Sequence, residues 1–458
     1  MKILSVVTCS VLAVGFSSAV FTKTSPTLAD WVEKAIVSDQ HDAQDAQDRL
    51  REAGPQGLQL LEQRFAKEIA AHRSGAATNA PWRSIGAALD RVGGQYDNYA
   101  SGLYWYTNLE QAKAAARASG RPILSLRLLG RLDEDLSCAN SRFFRTTLYP
   151  NAIVNQLLKE RFILYWESVR PAPRVTIAFE DGRKLERTIT GNSIHYVLDA
   201  DGTLVDALPG LYSAPTFAAE LRRAADAVSE ARTKGLHDYR AHMKSTRSRL
   251  LQSWAADLSK ITAQRSNQAV LNQTVLKQTA LYRTVSYPAM PKRAGPPFPE
   301  ETDEALLEQR MDDAKWIAVA QLHAQESVFD QGVRELVARK SFPAPTEARA
   351  LVGKGGLEFV DARTASGLTM MKSIVENPLL REFANLSYSI SIDAVRNNYM
   401  LRTKVLALLT ETGMQSSSLR EINDRVYAEI FLTPRQDPWL GLAPPDVFSA
   451  IDGNGEGR

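Results

Sequence analysis

The chain has 458 residues, 44% of them hydrophobic and 23% charged, and a formal net charge of +3. This length exceeds what one ordinary hydrophobic core holds, so we expect two or three domains of a soluble globular protein. The 55 basic residues are interspersed with 52 acidic ones, which gives no electrostatic reason to expect nucleic acid as a partner.

The first residues have the pattern of a secretory signal peptide. Lys2 supplies a positive start, an apolar run covers residues 3–14, and Ser18-Ala19 fits the small-residue cleavage site. We therefore predict that residues 1–19 are removed and that the mature protein is periplasmic or secreted. A retained anchor is the alternative, although the apolar run is short for a bilayer. No later segment is long and apolar enough to span a membrane, so no integral membrane segment is expected after signal removal.

Cysteine use limits the covalent chemistry. The chain has two cysteines, and Cys9 leaves with the signal peptide. Cys138 is then the only thiol of a protein sent to an oxidising compartment. We therefore expect no internal disulfide, and packing must provide the stability.

Residues 20–102 are predicted to form a helical region. Apolar residues recur at helical spacing between Leu28 and Ile36 and again between Leu58 and Phe65, and Gly54-Pro55 separates a helix end from a helix start. A further helix is predicted from Trp82 to Val92. No second copy of the helical pair follows at a fixed period, so a solenoid is not expected.

Residues 103–233 change to a pattern of helices and strands. A helix that ends at Gly120 precedes the apolar run Ile123–Leu129, and a second run follows at Phe162–Trp166. Four more strand-like stretches come next, and a helix that Pro215 can begin closes the segment. The predicted order α, β, α, β, β, β, β, β, α requires helices that cover a mixed sheet. The four stretches are Val175–Phe179, Leu185–Ile189, Ile194–Leu198 and Leu204–Val205.

The remainder of the chain is predicted to be mostly helical. Residues 234–285 form a helical extension, residues 286–302 a proline-rich linker, and residues 303–458 a helical domain with an extended Pro/Trp tail. Trp439 in that tail has two interpretations: the anchor of a docking surface, or part of a terminal strap packed on the helices. The predicted fold class is multidomain α+β, with a central α/β/α sheet domain between helical regions.

Three features of residues 103–233 occur in the order found in a known fold. Trp105 and the helix Leu109–Ser119 lead into the first apolar run, Cys138-Ala139-Asn140-Ser141 stands at a predicted helix start, and Gly191-Asn192-Ser193-Ile194 precedes a hairpin. In these features the segment resembles the thioredoxin-like superfamily, which places Cys-x-x-Cys at the helix start and a cis-proline before that hairpin. The resemblance implies an α/β/α sheet domain and a site formed around Cys138.

The departures from that pattern bear on activity. In the superfamily's dithiol enzymes the first cysteine attacks and the second resolves the mixed disulfide. Ser141 stands at the second position here, so a dithiol cycle within one chain is not expected. Ser193 replaces the cis-proline, which weakens the backbone clamp for a substrate strand. Asp135 should raise the pKa of Cys138, whereas a helix N-terminus should lower it, and the sequence leaves that balance open.

Two interpretations of Cys138 follow. In one, Cys138 is a nucleophilic monothiol, with the Ser141 hydroxyl near enough to hydrogen-bond it and His195 as a candidate base. In the other, Cys138 is a buried small hydrophobic residue in a redox-degenerate fold. The candidate site residues are Cys138, Ser141, Ser193 at the cis-proline position, and His195.

The function that the sequence favours is an exported thioredoxin-like module that is redox-degenerate and acts as a binding or scaffold module for a protein partner. The alternative is a monothiol thiol-disulfide oxidoreductase or isomerase that uses Cys138. A third hypothesis gives the main activity to the C-terminal helices. No cysteine or histidine spacing indicates zinc or covalent haem, so we predict no metal and no cofactor. The sequence specifies neither the partner nor the oligomeric state.

Overall fold

The computed structural model describes residues 27–74, 81–188, 190–267, 313–323, 330–341, 378–411, 414 and 417–437. Within these ranges a mixed five-stranded sheet is combined with a majority of helix, so the predicted α+β class is confirmed at this level. The predicted signal peptide with Cys9, the proline-rich linker 286–302 and the tail around Trp439 lie outside the described residues.

In the described part of the chain before the sheet, six helices are present: α1 (Leu28–Lys34), α2 (Gln40–Glu52), α3 (Pro55–Arg64), α4 (Ala66–Ser74), α5 (Trp82–Gly93) and α6 (Asn98–Ser101). Their apolar faces pack into a core of their own, joined by Leu336 from a later helix. Gly54 has a φ of +70°, which lets the chain turn before Pro55 starts α3. The predicted break between α2 and α3 is therefore present.

The described residues contain seven strands: β1 (Trp105–Tyr106), β2 (Ile123–Leu129), β3 (Ile163–Arg170), β4 (Arg174–Ala178), β5 (Lys184–Thr188), β6 (Ser193–Leu198) and β7 (Leu204–Pro209). Five of them form the central sheet in the order β1-β3-β2-β6-β7. β1 and β2 run parallel to β3, whereas β6 runs antiparallel to β2 and β7. β2 is the middle strand and is buried along its whole length, as expected for a strand covered on both faces.

β4 and β5 form an antiparallel hairpin that stands apart from the sheet. The sequence predicted both stretches as strands of one mixed sheet, and Ile189, at the end of the second, lies outside the described residues. Every residue of β4 is exposed. The strand therefore has no buried face with which it could extend the core, which explains why the hairpin stays separate.

Four helices accompany the sheet strands along the chain: α7 (Leu109–Ser119), α8 (Ala139–Phe143), α9 (Ala152–Arg161) and α10 (Ala214–Thr233). A π-helical turn, Phe144–Leu148, continues α8. The α10 helix packs on α9, β6 and β7, and its Phe217 ring contacts His195 of β6. Ser213 caps α10, and Pro215 lies in its first turn, where a proline is tolerated.

The later helices are α11 (Arg240–Asn267), α12 (Asp313–His323), α13 (Gln331–Ser341), α14 (Pro378–Arg396), α15 (Arg402–Leu409) and α16 (Leu419–Arg425), with π-helical turns at Asn397–Leu401 and Val426–Ile430. Most of their buried residues belong to the same hydrophobic core as the sheet, whereas Leu336 of α13 packs in the core of the N-terminal helices. The α11 and α15 helices pack on the edge strand β7. Among the helices of the described ranges, none is both long and apolar enough to cross a membrane.

A buried ionic network joins α15 to the sheet domain. Arg402 is fully buried and donates to Asp206 of β7 at 2.9 Å and to Glu220 of α10 at 2.9 Å. His242 of α11 also contacts the Asp206 carboxylate, at 3.2 Å. Burial raises the pKa of Asp206, but Arg402 and His242 outweigh it, so the pKa lies below its ordinary value. The network therefore holds charged groups in the interior, where each depends on the others. We call it the β7 junction.

Candidate functional site

Cys138 lies at the start of α8, near the end of the central strand β2. It is the N-cap residue of that helix, and its Sγ accepts a hydrogen bond from the Ser141 backbone N–H at 3.4 Å. The side chain has no exposed surface. A sulfur atom in this position is held by helix-terminal N–H groups but is closed off from solvent.

Burial decides the acidity of this thiol. Burial raises the pKa of Cys138, and the backbone N–H groups of Ser141, Asn140 and Leu129 lower it by less. The sequence left open whether Asp135 raises the pKa of Cys138 more than the helix N-terminus lowers it. The Asp135 carboxylate is instead largely exposed and lies 3.7 Å from the buried Arg145 guanidinium. The net result is a thiol that is protonated at neutral pH.

Ser141 and Ser193 are both buried near Cys138, and they differ in their hydrogen bonds. The Ser193 hydroxyl accepts from the Asn140 side-chain amide at 2.9 Å, so the start of β6 contacts the start of α8. The Ser141 hydroxyl has no hydrogen-bond partner among the described residues, and the bond to the thiol comes from its backbone instead. The sequence analysis placed the Ser141 hydroxyl near enough to hydrogen-bond the thiol. In the structure, the Ser141 backbone N–H makes that bond instead.

His195 lies on β6 and is directed to an aromatic cluster. Its Nε2 is 2.8 Å from the Tyr149 hydroxyl, and its ring contacts Phe144 and Phe217. Burial lowers the pKa of His195 to about 3, so the imidazole is neutral at physiological pH. Burial also raises the pKa of Tyr149. The histidine therefore bonds the phenol and not the sulfur.

Residues 419–437, which we call the cover segment, pack over the loop before Ser193. The Tyr427 hydroxyl donates to the Asn192 carbonyl at 3.1 Å, and the Asn192 side-chain amide donates to the Thr433 hydroxyl at 3.3 Å. The same loop reaches the residue after Cys138, because the Ala139 backbone N–H donates to the Thr190 carbonyl at 3.5 Å. The cover segment therefore packs on the loop that lies beside the thiol.

Arg170, at the end of β3, anchors the far end of the cover segment. Its guanidinium donates to the carbonyl oxygens of Thr433 at 2.6 Å and of Pro434 at 3.1 Å. Sequence reasoning missed both Arg170 and Tyr427. Neither carries a motif, because their role depends on a contact between parts of the chain that are far apart in sequence.

The β4–β5 hairpin borders the same site. The Thr188 hydroxyl donates to the Ser137 carbonyl at 2.9 Å, and Arg142 of α8 donates to both groups. On β4, Val175 is 37% exposed, and Ile177 is 48% exposed. Phe179, 44% exposed, directly follows the strand. The alternation of side chains along a strand puts these three on one face, which we call the apolar stripe.

The described residues bring together no group of three or more histidine, cysteine, aspartate or glutamate side chains that could hold a metal ion. Chemically, the site offers one enclosed thiol, several buried hydroxyl and amide groups, and an exposed apolar hairpin beside them. The fold and site thus define a mixed α+β protein with a lone buried cysteine at a helix start. Comparison with protein families, with curated proteins and with solved structures gives no match to this chain.

Proposed function

We propose that this protein is an exported, thioredoxin-like, redox-degenerate protein that serves as a binding module for a protein partner. The sheet topology supports the class: three parallel strands lie beside an antiparallel pair, and the cysteine caps the helix that follows the middle strand. The contact between Asn140 and Ser193 supports it as well, because it joins the two motifs on which the resemblance depends.

The apolar stripe carries the binding role. Seven large apolar side chains are exposed among the described residues, and three of them are Val175, Ile177 and Phe179. Scattered exposed apolar residues are ordinary, whereas a cluster on one face of a protruding hairpin is typical of an interaction surface. The stripe suits a partner that presents an apolar segment.

The enclosed thiol supports a role without thiol exchange. Only the thiolate is nucleophilic, and burial both raises the pKa of Cys138 and closes it to a disulfide substrate. The absence of a cysteine at position 141 removes the resolving step. A buried cysteine that behaves as a small hydrophobic residue fits these observations.

One observation favours the alternative, a monothiol oxidoreductase or isomerase. The backbone N–H groups of Ser141, Asn140 and Leu129 all lower the pKa of Cys138. If the cover segment opened and admitted water, these donors would stabilise a thiolate. The choice between the two functions therefore depends on whether the thiol reacts in the folded protein.

Site-directed photo-crosslinking in the native cells tests the binding role. A benzophenone side chain at position 177 should give a discrete protein adduct with the full-length chain. The same group at Leu236, which is 52% exposed and outside the hairpin, is the matched control and should give none. The adduct should persist with Cys138→Ser. Equal labelling at both positions, or loss of the adduct with Cys138→Ser, would contradict the proposal.

The reactivity of the thiol separates the two functions. At pH 7, Cys138 of the folded protein should react with a small aromatic disulfide much more slowly than free cysteine does, because it is buried. Addition of denaturant should restore the ordinary rate. A folded protein that reacts as fast as free cysteine would instead establish the monothiol alternative.

A further inference from the structure

A cleft of about 460 Å³ lies between the sheet and the cover segment. The sheet side contributes Arg127, Glu167 and Arg170, and the cover segment contributes Arg420, Asp424 and Arg435. This volume falls in the range of pockets that hold small molecules. We call it the arginine cleft.

Positive charge exceeds negative charge in this cleft. Four guanidinium groups line it against two carboxylates. Asp424 is 3.3 Å from Arg435, and Glu167 is paired with Arg127, so each carboxylate already has one cationic partner. Arg420 is exposed and makes no hydrogen bond or ion pair within the described part of the chain. The lining residues therefore carry an excess of two positive charges, with the Asp437 carboxylate outside the lining acting on Arg170.

The sheet side of the cleft also retains hydrogen-bonding capacity. Arg127 is almost completely buried, and its Nε has no acceptor. Arg170 is half-buried, and its Nε has no acceptor either. Glu167 accepts from Arg127 and from the Tyr165 hydroxyl through the same oxygen, Oε2, the latter at 2.6 Å, and it accepts from neither Nε group. Buried N–H groups without an acceptor keep their full positive potential, which favours an anion at the mouth of the cleft.

We propose that the arginine cleft binds a small molecule with at least two anionic oxygen-rich groups, either phosphates or carboxylates. Guanidinium groups bind both types in a planar, bidentate manner, and four of them converge here. The concave shape suits a compact ligand, whereas a flat membrane surface would reach only the exposed Arg420 and Arg435. This site is separate from the apolar stripe and does not depend on the proposed partner.

Titration of the full-length protein with pyrophosphate and with citrate, at matched ionic strength set by sodium chloride, tests the proposal. Saturable binding of one equivalent of either probe supports the site, and the tighter probe identifies the preferred group. Arg420→Gln should weaken that binding at least about tenfold, because it removes an unneutralised charge from the cleft.

Arg117→Gln is the matched control, since Arg117 is an exposed arginine of α7 paired with Asp201 and is absent from the cleft. It should leave the affinity unchanged. Both variants change exposed side chains, so circular dichroism and the melting temperature should confirm that each is folded. The proposal is overturned if neither probe gives saturable binding at millimolar concentration, or if Arg117→Gln weakens binding as much as Arg420→Gln.

Discussion

Two of the places where the C-terminal helices meet the sheet region are built from different interactions. At the β7 junction, the buried Arg402 contacts the buried carboxylates of Asp206 and Glu220, each at 2.9 Å. At the cover segment, Tyr427 and Arg170 make hydrogen bonds mainly to backbone carbonyl oxygens, and the segment is partly exposed. The first junction is a buried cluster of paired ions, and the second is held mainly by bonds to neutral carbonyl groups near the surface.

This difference predicts different behaviour at the two junctions. Separating buried ions leaves each one desolvated without its partner, which costs several kcal/mol. Separating a hydroxyl or a guanidinium from a carbonyl near the surface costs less, because water replaces the partner. We therefore expect the β7 junction to persist until the protein unfolds. The cover segment can open locally, in the manner of other weakly held elements.

The largest expected effect comes from Arg402→Met, which keeps the volume of the side chain but removes its charge. Asp206 and Glu220 would remain buried without this cation, and the free energy of unfolding should fall by about 3–5 kcal/mol. Chemical denaturation measures the change. Arg223→Ala is the control, because Arg223 binds Glu220 from a half-exposed position. Arg223→Ala should lower the free energy of unfolding by at most about 1 kcal/mol. Equal losses would show that burial does not decide how much an ion pair of the β7 junction contributes.

The second prediction concerns the effect of acid on the free energy of unfolding through the buried, neutral His195. His195 has an unfolded pKa of 6.5 and a folded pKa of about 3. Below pH 6.5 the unfolded chain takes up a proton that the folded protein excludes. His195 thus lowers stability by about 1.4 kcal/mol for each further pH unit down to about pH 3.

The His195→Gln variant isolates this contribution. Glutamine can hydrogen-bond Tyr149 but does not titrate, so the stability difference from wild type should become more favourable to the variant as the pH falls from 6.5 to 4.5. Urea unfolding at several pH values measures the difference, and other titrating groups cancel in it. Tyr149→Phe keeps the imidazole and should retain the wild-type slope. Parallel curves for wild type and His195→Gln would show that His195 is protonated in the folded state.

The third prediction tests whether the cover segment opens. Arg170→Ala removes the donor to Thr433 and Pro434, so local opening should become more frequent and Cys138 should react with iodoacetamide about tenfold faster. Mass spectrometry of the time course measures the rate. Arg435→Ala is the matched control, because Arg435 pairs with Asp424 inside the cover segment. A rate that stays at the wild-type value in Arg170→Ala would show that the thiol is enclosed by the sheet domain alone.

Much of the sheet domain could be predicted from local sequence patterns. The apolar run Ile123–Leu129 coincides with β2, and the predicted stretch Ile194–Leu198 differs from β6 by one residue. The two-residue strand β1 was not predicted, since two residues are too few to show a period. The sequence also did not predict that β4 and β5 pair with each other outside the central sheet. Strand patterns identify strands, but pairing depends on which faces the rest of the chain can bury.

The candidate site was predictable only in part. The Cys138 position at a helix start follows from a local motif, and the structure has it as the N-cap of α8. The bond from Tyr427 to the Asn192 carbonyl and the bond from Asn140 to Ser193 were not predicted. Both depend on tertiary contacts, and no spacing in the sequence encodes them. Whether Ser141 meets the thiol through its hydroxyl or its backbone depends on a side-chain rotamer, which a motif does not specify.

The smallest expected effect concerns that serine. The Ser141 hydroxyl is buried with no partner in the described ranges, so Ser141→Ala removes an unsatisfied polar group and keeps the backbone N–H that binds Cys138. We expect the free energy of unfolding to rise by up to about 1 kcal/mol. The iodoacetamide rate of Cys138 should not change. The control is Ser193→Ala, which removes the acceptor of Asn140 and should destabilise the protein instead. A Ser141→Ala variant that is less stable and has an altered thiol rate would mean that the hydroxyl contacts the sulfur in solution, as the monothiol hypothesis requires.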